Sequence, residues 1–98
     1  MLDLSQFTGF DWDEANDTKN WKRHKVTKED CEQVFFNEPL LLFYDESHSE
    51  SEPRYYVLGR DDSGRELFVV FTARGPLIRI ILARDQTKAE RKRYYEEG

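Results

Sequence analysis

Arg-Tyr-Tyr-Val-Leu-Gly-Arg (residues 54–60), Leu-Phe-Val-Val-Phe-Thr-Ala-Arg (67–74) and Leu-Ile-Arg-Ile-Ile-Leu-Ala-Arg (77–84) follow one another with short breaks between them. Each run is rich in β-branched and aromatic residues and bounded by turn chemistry, which predicts three consecutive antiparallel strands. Asp61-Asp62-Ser63-Gly64 makes the first turn, with Gly64 free to take positive φ. Gly75-Pro76 makes the second, since Pro76 presets φ and supplies no ladder donor. Side chains alternate along a strand, so Ile78, Ile80 and Leu82 are expected on one face and Arg79, Ile81 and Ala83 on the other.

The same window holds Arg54, Arg60, Arg65, Arg74, Arg79 and Arg84 and no lysine. Arginine presents a planar fork that matches phosphate and keeps its charge at any working pH. Arg79 stands inside an apolar run. A charge there must be paired, open to a cleft, or holding a ligand, and a salt bridge to one of the many carboxylates is the plain alternative to a ligand.

At 98 residues the chain is expected to form one domain over 1–98. Charged residues make up 36% and aromatics 14%, a composition that fits a small, ordered, soluble fold rather than a disordered one. No apolar run approaches the roughly 20 residues of a membrane span, and Met1-Leu2-Asp3-Leu4 does not read as a signal peptide. The single cysteine, Cys31, cannot form an internal disulfide, which fits a reducing cytoplasm. The net charge of −5 is uneven. Residues 1–53 carry 5 Lys and Arg against 13 Asp and Glu, whereas residues 54–98 carry 10 against 7. A basic second half allows a local polyanion site, while the acidic whole argues against strong non-specific nucleic-acid binding.

Residues 7–12 read as a short strand with Phe10 and Trp12 on one side and Asp11 on the other. Asp13 is a plausible N-cap for a helix over 14–24, with Ala15, Thr18 and Trp21 or Lys22 facing inward. That helix ends in Lys22, Arg23, His24 and Lys25, cations that oppose its negative end. Thr27 caps a second helix running to about Asn37, with Cys31, Val34 and Phe35 as its buried stripe. Cys31 reads as a small core residue. Leu40 to Tyr44 is apolar throughout and predicts a strand covered on both faces. Asp45 to Pro53 is a polar loop; Asp45, Glu46, His48 and Glu50 lack a recognised metal-ligand spacing, so no metal is expected. Thr87 and Glu90 form a capping box that opens a last helix. Its inner line is expected to be Ala89, Lys92 or Arg93, and Tyr94. Together these elements predict an α+β fold: a small, mainly antiparallel sheet packed against two N-terminal helices and one C-terminal helix, the first strand at an edge.

No Gly-rich phosphate loop, zinc spacing or local nucleophile set is present. Arginines on a sheet, a histidine at a helix end and several tyrosines suit RNA cleavage by attack of the substrate's own 2′-hydroxyl. The protein need only orient the backbone, stabilise charge on phosphorus and move protons.

Phe10-Asp11-Trp12-Asp13-Glu14-Ala15, then Asn20 with Arg23-His24 and Val26, then Leu58-Gly59-Arg60, Phe71-Thr72 with Arg74, Ile78-Arg79-Ile80-Ile81, Ala83-Arg84, and finally Glu90, Arg91 and Tyr94 occur in this order. This ordered set resembles the BrnT-type toxins of bacterial type II toxin–antitoxin pairs, a branch of the RelE/ParE-like superfamily. The chain departs from that family in having Arg23-His24-Lys25 where Lys-His-Gly is common, and Asn16 where a lysine is common. The resemblance implies a cytoplasmic ribonuclease toxin that cleaves RNA without a metal or other cofactor and blocks translation. Its implied partners are RNA, on or off the ribosome, and a cognate DNA-binding antitoxin (BrnA-like) through which operator DNA is reached; no membrane is involved. It implies His24, Arg60 and Arg79 as catalytic candidates, with His24 carrying the proton, and Arg74 and Arg84 as RNA contacts; Lys22 and Arg23, next to His24 in the chain, are expected as further RNA contacts. The arginines are expected to gather on one scissile phosphate. The alternative is a non-catalytic toxin-fold module serving as an antitoxin-bound co-repressor or adaptor.

Overall fold

The computed structural model describes residues 2–48 and 51–98. Five strands, β1 (Gly9–Asp11), β2 (Leu41–Tyr44), β3 (Arg54–Arg60), β4 (Glu66–Arg74) and β5 (Leu77–Asp85), form one sheet in the order β1-β5-β4-β3-β2. Three helices, α1 (Glu14–His24), α2 (Lys28–Val34) and α3 (Lys88–Glu97), complete the α+β fold. The sheet is mixed. β2 to β5 pair antiparallel, while β1 joins β5 in parallel at the edge. Both predicted turns form, with Gly64 at φ 89° and Gly75 at φ 58°.

One face of the sheet carries the core. Val57, Leu67, Val69, Phe71, Ile78, Ile80 and Ala83 meet Val26, Cys31 and Val34 there, below α1 and α2. Burial among these residues, with Asp30, Asp17 and Glu32 nearby, pushes the Cys31 thiol up to about 12, so it serves packing and is not a nucleophile.

Simple alternation fails at one point. Phe71 pairs with Ile80 but Val70 pairs with Leu82, so the register slips by one residue on β5. The extra residue turns the strand: Ile78, Ile80 and Ala83 reach the core, and Leu82 moves to the face of Arg79. Ala83 therefore does not share a face with Arg79 as alternation predicts.

Two edges of the sequence description also change. The second helix stops at Val34, and the chain turns through Phe36–Glu38 before a cis bond to Pro39. β2 is an outer strand, so it is half-covered rather than buried on both faces, and Tyr44 is exposed.

α1 is held differently from the expected apolar contact. Ala15, Thr18 and Trp21 are exposed, and Asn20 is its one buried residue. The helix is instead fastened to β5 by polar groups at three points. At its N-terminus, the Asp13 carboxylate accepts from Arg79 Nη2 at 3.0 Å. In its middle, Asn20 Oδ1 accepts from the Ala83 amide at 3.2 Å. At its C-terminus, Arg65 donates to the carbonyls of His24 and Lys25 at 2.8 and 2.7 Å and clasps Asp85 of β5 at 2.7 Å. These bonds satisfy carbonyls that the helix end would leave open.

The last turn of α1 ends on Lys25, at φ 55° and ψ 41°. A side chain in this left-handed region costs about 1 kcal/mol, and glycine does not bear that cost. Lys25 partly offsets it by placing Nζ 5.1 Å from the Trp21 ring, a contact worth about 0.5 kcal/mol at an exposed site. Lys25→Gly is expected to raise stability by about 0.5 kcal/mol and Tm by about 2–4 °C. A lower Tm in a thermal melt would mean that the Trp21 contact outweighs the backbone relief.

α3 lies near the β3 side of the opposite face. Its capping box forms as expected, through Thr87 and Glu90. Tyr94 is its buried residue and donates from its hydroxyl to the Pro39 carbonyl at 2.6 Å. Ala89 is exposed, and Arg93 lies over the Phe43 ring at 3.8 Å. The inner line therefore runs through Glu90 and Tyr94, anchored by polar tips and not by Ala89.

Candidate nucleic-acid interface

The sheet face away from α1 and α2 carries the basic residues, and the strand register orders them into rows. Arg54 of β3 stands opposite Thr72 of β4, Thr72 opposite Arg79 of β5, and Arg79 opposite Asp11 of β1. Residues directly opposite point to the same side, so this is one row across four strands. Arg54 and Arg79 are two strands apart, about 10 Å. Arg74 is two residues further along β4, on the same face. The next row inward pairs Tyr56, Val70 and Leu82, and Phe43 of β2 stacks on Tyr56 at 4.9 Å. The patch of guanidinium forks thus ends at aromatics that Arg93 of α3 already covers, 3.8 Å over the Phe43 ring, and it offers donors for phosphate more than rings for bases.

Acidic groups share this patch. Arg79 donates to Asp11 Oδ2 at 3.3 Å as well as to Asp13, and its side chain is 26% exposed. Arg74 reaches Glu52 at 3.4 Å. The Ala15 amide, with Arg79 adding to it, holds the Asp13 carboxyl below its ordinary value. Thr72 is buried between the two arginines of its row and donates to the Pro53 carbonyl at 2.6 Å.

The seven residues expected at a site do not converge. Arg74 and Arg79 come together, with Arg54 added. Arg84 lies at the other end of β5, clasping Glu90 at 2.8 and 3.1 Å and covering the Phe68 ring at 3.9 Å, so it pins α3. Arg60 donates twice to the Glu38 carbonyl, at 3.1 and 2.8 Å, and braces the turn before β2. His24 ends α1 on the opposite layer, where its carbonyl meets Arg65 beside Asp85. Asp85 is six residues along β5 from Arg79, roughly 15–20 Å away at about 3.3 Å per residue. Lys22 and Arg23 are exposed on α1. Arginines spread along a chain read as one cluster until register separates them.

Of the loop groups weighed for a metal, Glu50 lies outside the described residues. No three of the described His, Cys, Asp and Glu residues are grouped to hold a metal ion.

The family model described as "Ribonuclease toxin, BrnT, of type II toxin-antitoxin system" matches residues 12–90. The chain belongs to the BrnT toxin family. The matched span takes in β3, β4, β5 and every one of the seven candidates. Among solved structures, the Brucella abortus ribonuclease toxin BrnT aligns with a TM-score of 0.64. The alignment covers 83% of this chain and 99% of that one at 18% identity. At that identity the likeness to the Brucella BrnT toxin is one of fold. Comparison with curated proteins gives no match. Membership in a BrnT family of type II toxins brings an antitoxin as a partner. Among the described residues no helix is long and apolar enough to cross a membrane.

Proposed function

We propose that this BrnT family chain, acting as one toxin domain over 1–98, cuts RNA by in-line attack of the 2′-hydroxyl on the adjacent phosphate, with no metal required. It acts in the cytoplasm in RelE-like fashion and stops translation until a DNA-binding, BrnA-like antitoxin covers it; operator DNA is reached only through that antitoxin. The observation that carries this proposal is the registered row of Arg54, Thr72, Arg79 and Asp11 with Arg74 beside it. Arg79 and Arg74, whose donors face Asp11, Asp13 and Glu52 in the free protein, supply guanidinium charge to a pentavalent phosphorane where its charge develops. Arg79 and Arg74 are assigned the phosphate. His24, Arg60, Arg84, Lys22 and Arg23 lie outside that patch, and single alanine variants of each test whether they contribute to cleavage.

Induction of the chain alone is expected to arrest growth within one or two doublings, and co-expression of the cognate antitoxin to lift the arrest. RNA from arrested cells should carry 2′,3′-cyclic phosphate and 5′-hydroxyl ends, and a chelator should leave cleavage unchanged. A harmless chain that leaves RNA intact with and without ribosomes would instead make it a co-repressor or adaptor on a toxin fold. Lost cleavage on chelation would overturn the metal-free step.

A further inference from the structure

We propose that Asp11 accepts the 2′-hydroxyl proton in this cleavage, an assignment that rests on the ribonuclease reading of the Arg54–Arg79 face. The reaction needs a proton acceptor beside the bound phosphate. Histidine is the usual choice near neutral pH, but His24 stands on the helix layer near Asp85, far along β5 from Arg79. Tyr56 lies in the next row and is a poor acceptor in its protonated form. The acceptor on this face is therefore sought among the carboxylates Asp11, Asp13 and Glu52.

These three differ in what already occupies them. Asp13 caps α1, taking the Ala15 amide at 2.8 Å, and takes the shorter Arg79 contact at 3.0 Å. Its oxygens are committed to the helix start. Glu52 sits on the chain before β3 and touches Arg74, at the end of β4, at 3.4 Å. Asp11 is placed on a paired strand directly opposite Arg79 and takes only the longer 3.3 Å contact from it. Arg79 engages its Oδ2, which leaves Oδ1 for substrate on the face where Arg79 presents its fork; Asp13 and Glu52 are exposed to the same 36%, so occupancy and not exposure separates the three. The charged groups around it are Arg79 on β5 and Asp13 at the start of α1, with Arg74 and Arg54 further across the face.

In the step itself the 2′-oxygen gives its proton to Asp11 and forms a bond to phosphorus. The bond from phosphorus to the 5′-oxygen breaks, and the departing oxygen takes a proton from water. The products are a 2′,3′-cyclic phosphate and a 5′-hydroxyl. Arg79 steadies the added charge on the phosphoryl oxygens and aims Asp11.

The test uses the full chain, a labelled single-stranded RNA and, in parallel, ribosomes carrying mRNA. Single-turnover rates are measured across pH for wild type, Asp11→Asn, Asp11→Glu and Glu52→Gln, with RNA affinity and Tm measured on each. Asp11→Asn is expected to lose 10²–10⁴-fold in rate, to bind RNA as tightly as wild type or more so, and to lose the acid limb of the pH–rate profile. Asp11→Glu should recover part of the rate, and the loss in Glu52→Gln should be smaller than in Asp11→Asn. Asp11→Asn cleaving within threefold of wild type with an unchanged profile would overturn the assignment while leaving the ribonuclease reading in place. So would Glu52→Gln showing the large loss instead. Wild type leaving both RNAs intact would remove both readings together. If Asp11→Asn is poorly folded by Tm, Asp11→Glu decides: a rate more than threefold below wild type with RNA affinity and Tm kept supports the assignment, and a rate within threefold of wild type refutes it.

Discussion

Arg65→Ala is expected to lower stability by about 2–3 kcal/mol. One guanidinium holds three elements: it donates to the last carbonyls of α1 at 2.8 and 2.7 Å and to both oxygens of Asp85 at 2.7 and 3.1 Å. Hydrogen bonds to charged groups contribute about 1.5–3 kcal/mol each when well shielded. Here the side chain is 29% exposed and Asp85 is 61% exposed, so the sum is discounted to the figure given. At this chain length that corresponds to a fall in Tm of roughly 8–24 °C. Arg65→Lys keeps the charge but not the fork, and should recover less than half. The pH dependence carries a second signature. The hydrogen bond from Arg65 holds the Asp85 carboxyl below its ordinary value, so the stabilisation is present at neutral pH and disappears as pH falls through and below about 4. In Arg65→Ala that part of the acid slope should vanish. Urea melts between pH 2 and 7 on both proteins read it, and a Tm change under 3 °C would mean that α1 is held by something else.

This dependence also explains why α1 was legible in its ends but not in its face. Asp13 as a cap and the basic last turn are local signals, carried by residues within four positions of one another, and they place the helix at Glu14–His24. The inward face has no apolar stripe to read. It is made by Asn20, by Asp13 and by backbone carbonyls, whose partners Ala83, Arg79 and Arg65 lie more than 40 residues away or at that distance. The same limit applies to β5. Its strand character is plain in Ile78-Arg79-Ile80-Ile81, but the one-residue slip opposite Val70 and Phe71 is a property of the pairing, not of either strand alone. The candidate site was visible in the same partial way. Arginine content pointed to a candidate face for anions. Which arginines share a face was decided by the row of register through Thr72, and the pairing of Asp11 with Arg79 across 68 residues placed the proposed acceptor there, which composition could not single out.

Arg79→Ala should cost cleavage 10²–10³-fold or more, the range for removing one donor to a developing oxyanion, and should relieve growth arrest on induction. It also removes the 3.3 and 3.0 Å contacts to Asp11 and Asp13, so part of any loss could arise from a loosened α1. The two contributions separate by magnitude and by observable. The partners are each 36% exposed, so losing the pair should lower stability by no more than about 1–2 kcal/mol, leaving most molecules folded in a domain with ordinary reserves. A purely structural role therefore predicts a small loss of rate that follows the folded fraction. A phosphate role predicts a large loss in a protein that remains folded, with weaker RNA binding and a shallower dependence of that binding on salt, by about one phosphate contact. Arg79→Lys sharpens the contrast: it retains a charge for Asp11 and Asp13 but not the two-pronged donor, so Tm should return towards wild type while the rate stays at least tenfold down. Rate and Tm recovering together in Arg79→Lys would show that Arg79 serves the fold alone, and the phosphate would have to be sought at another arginine of the same face.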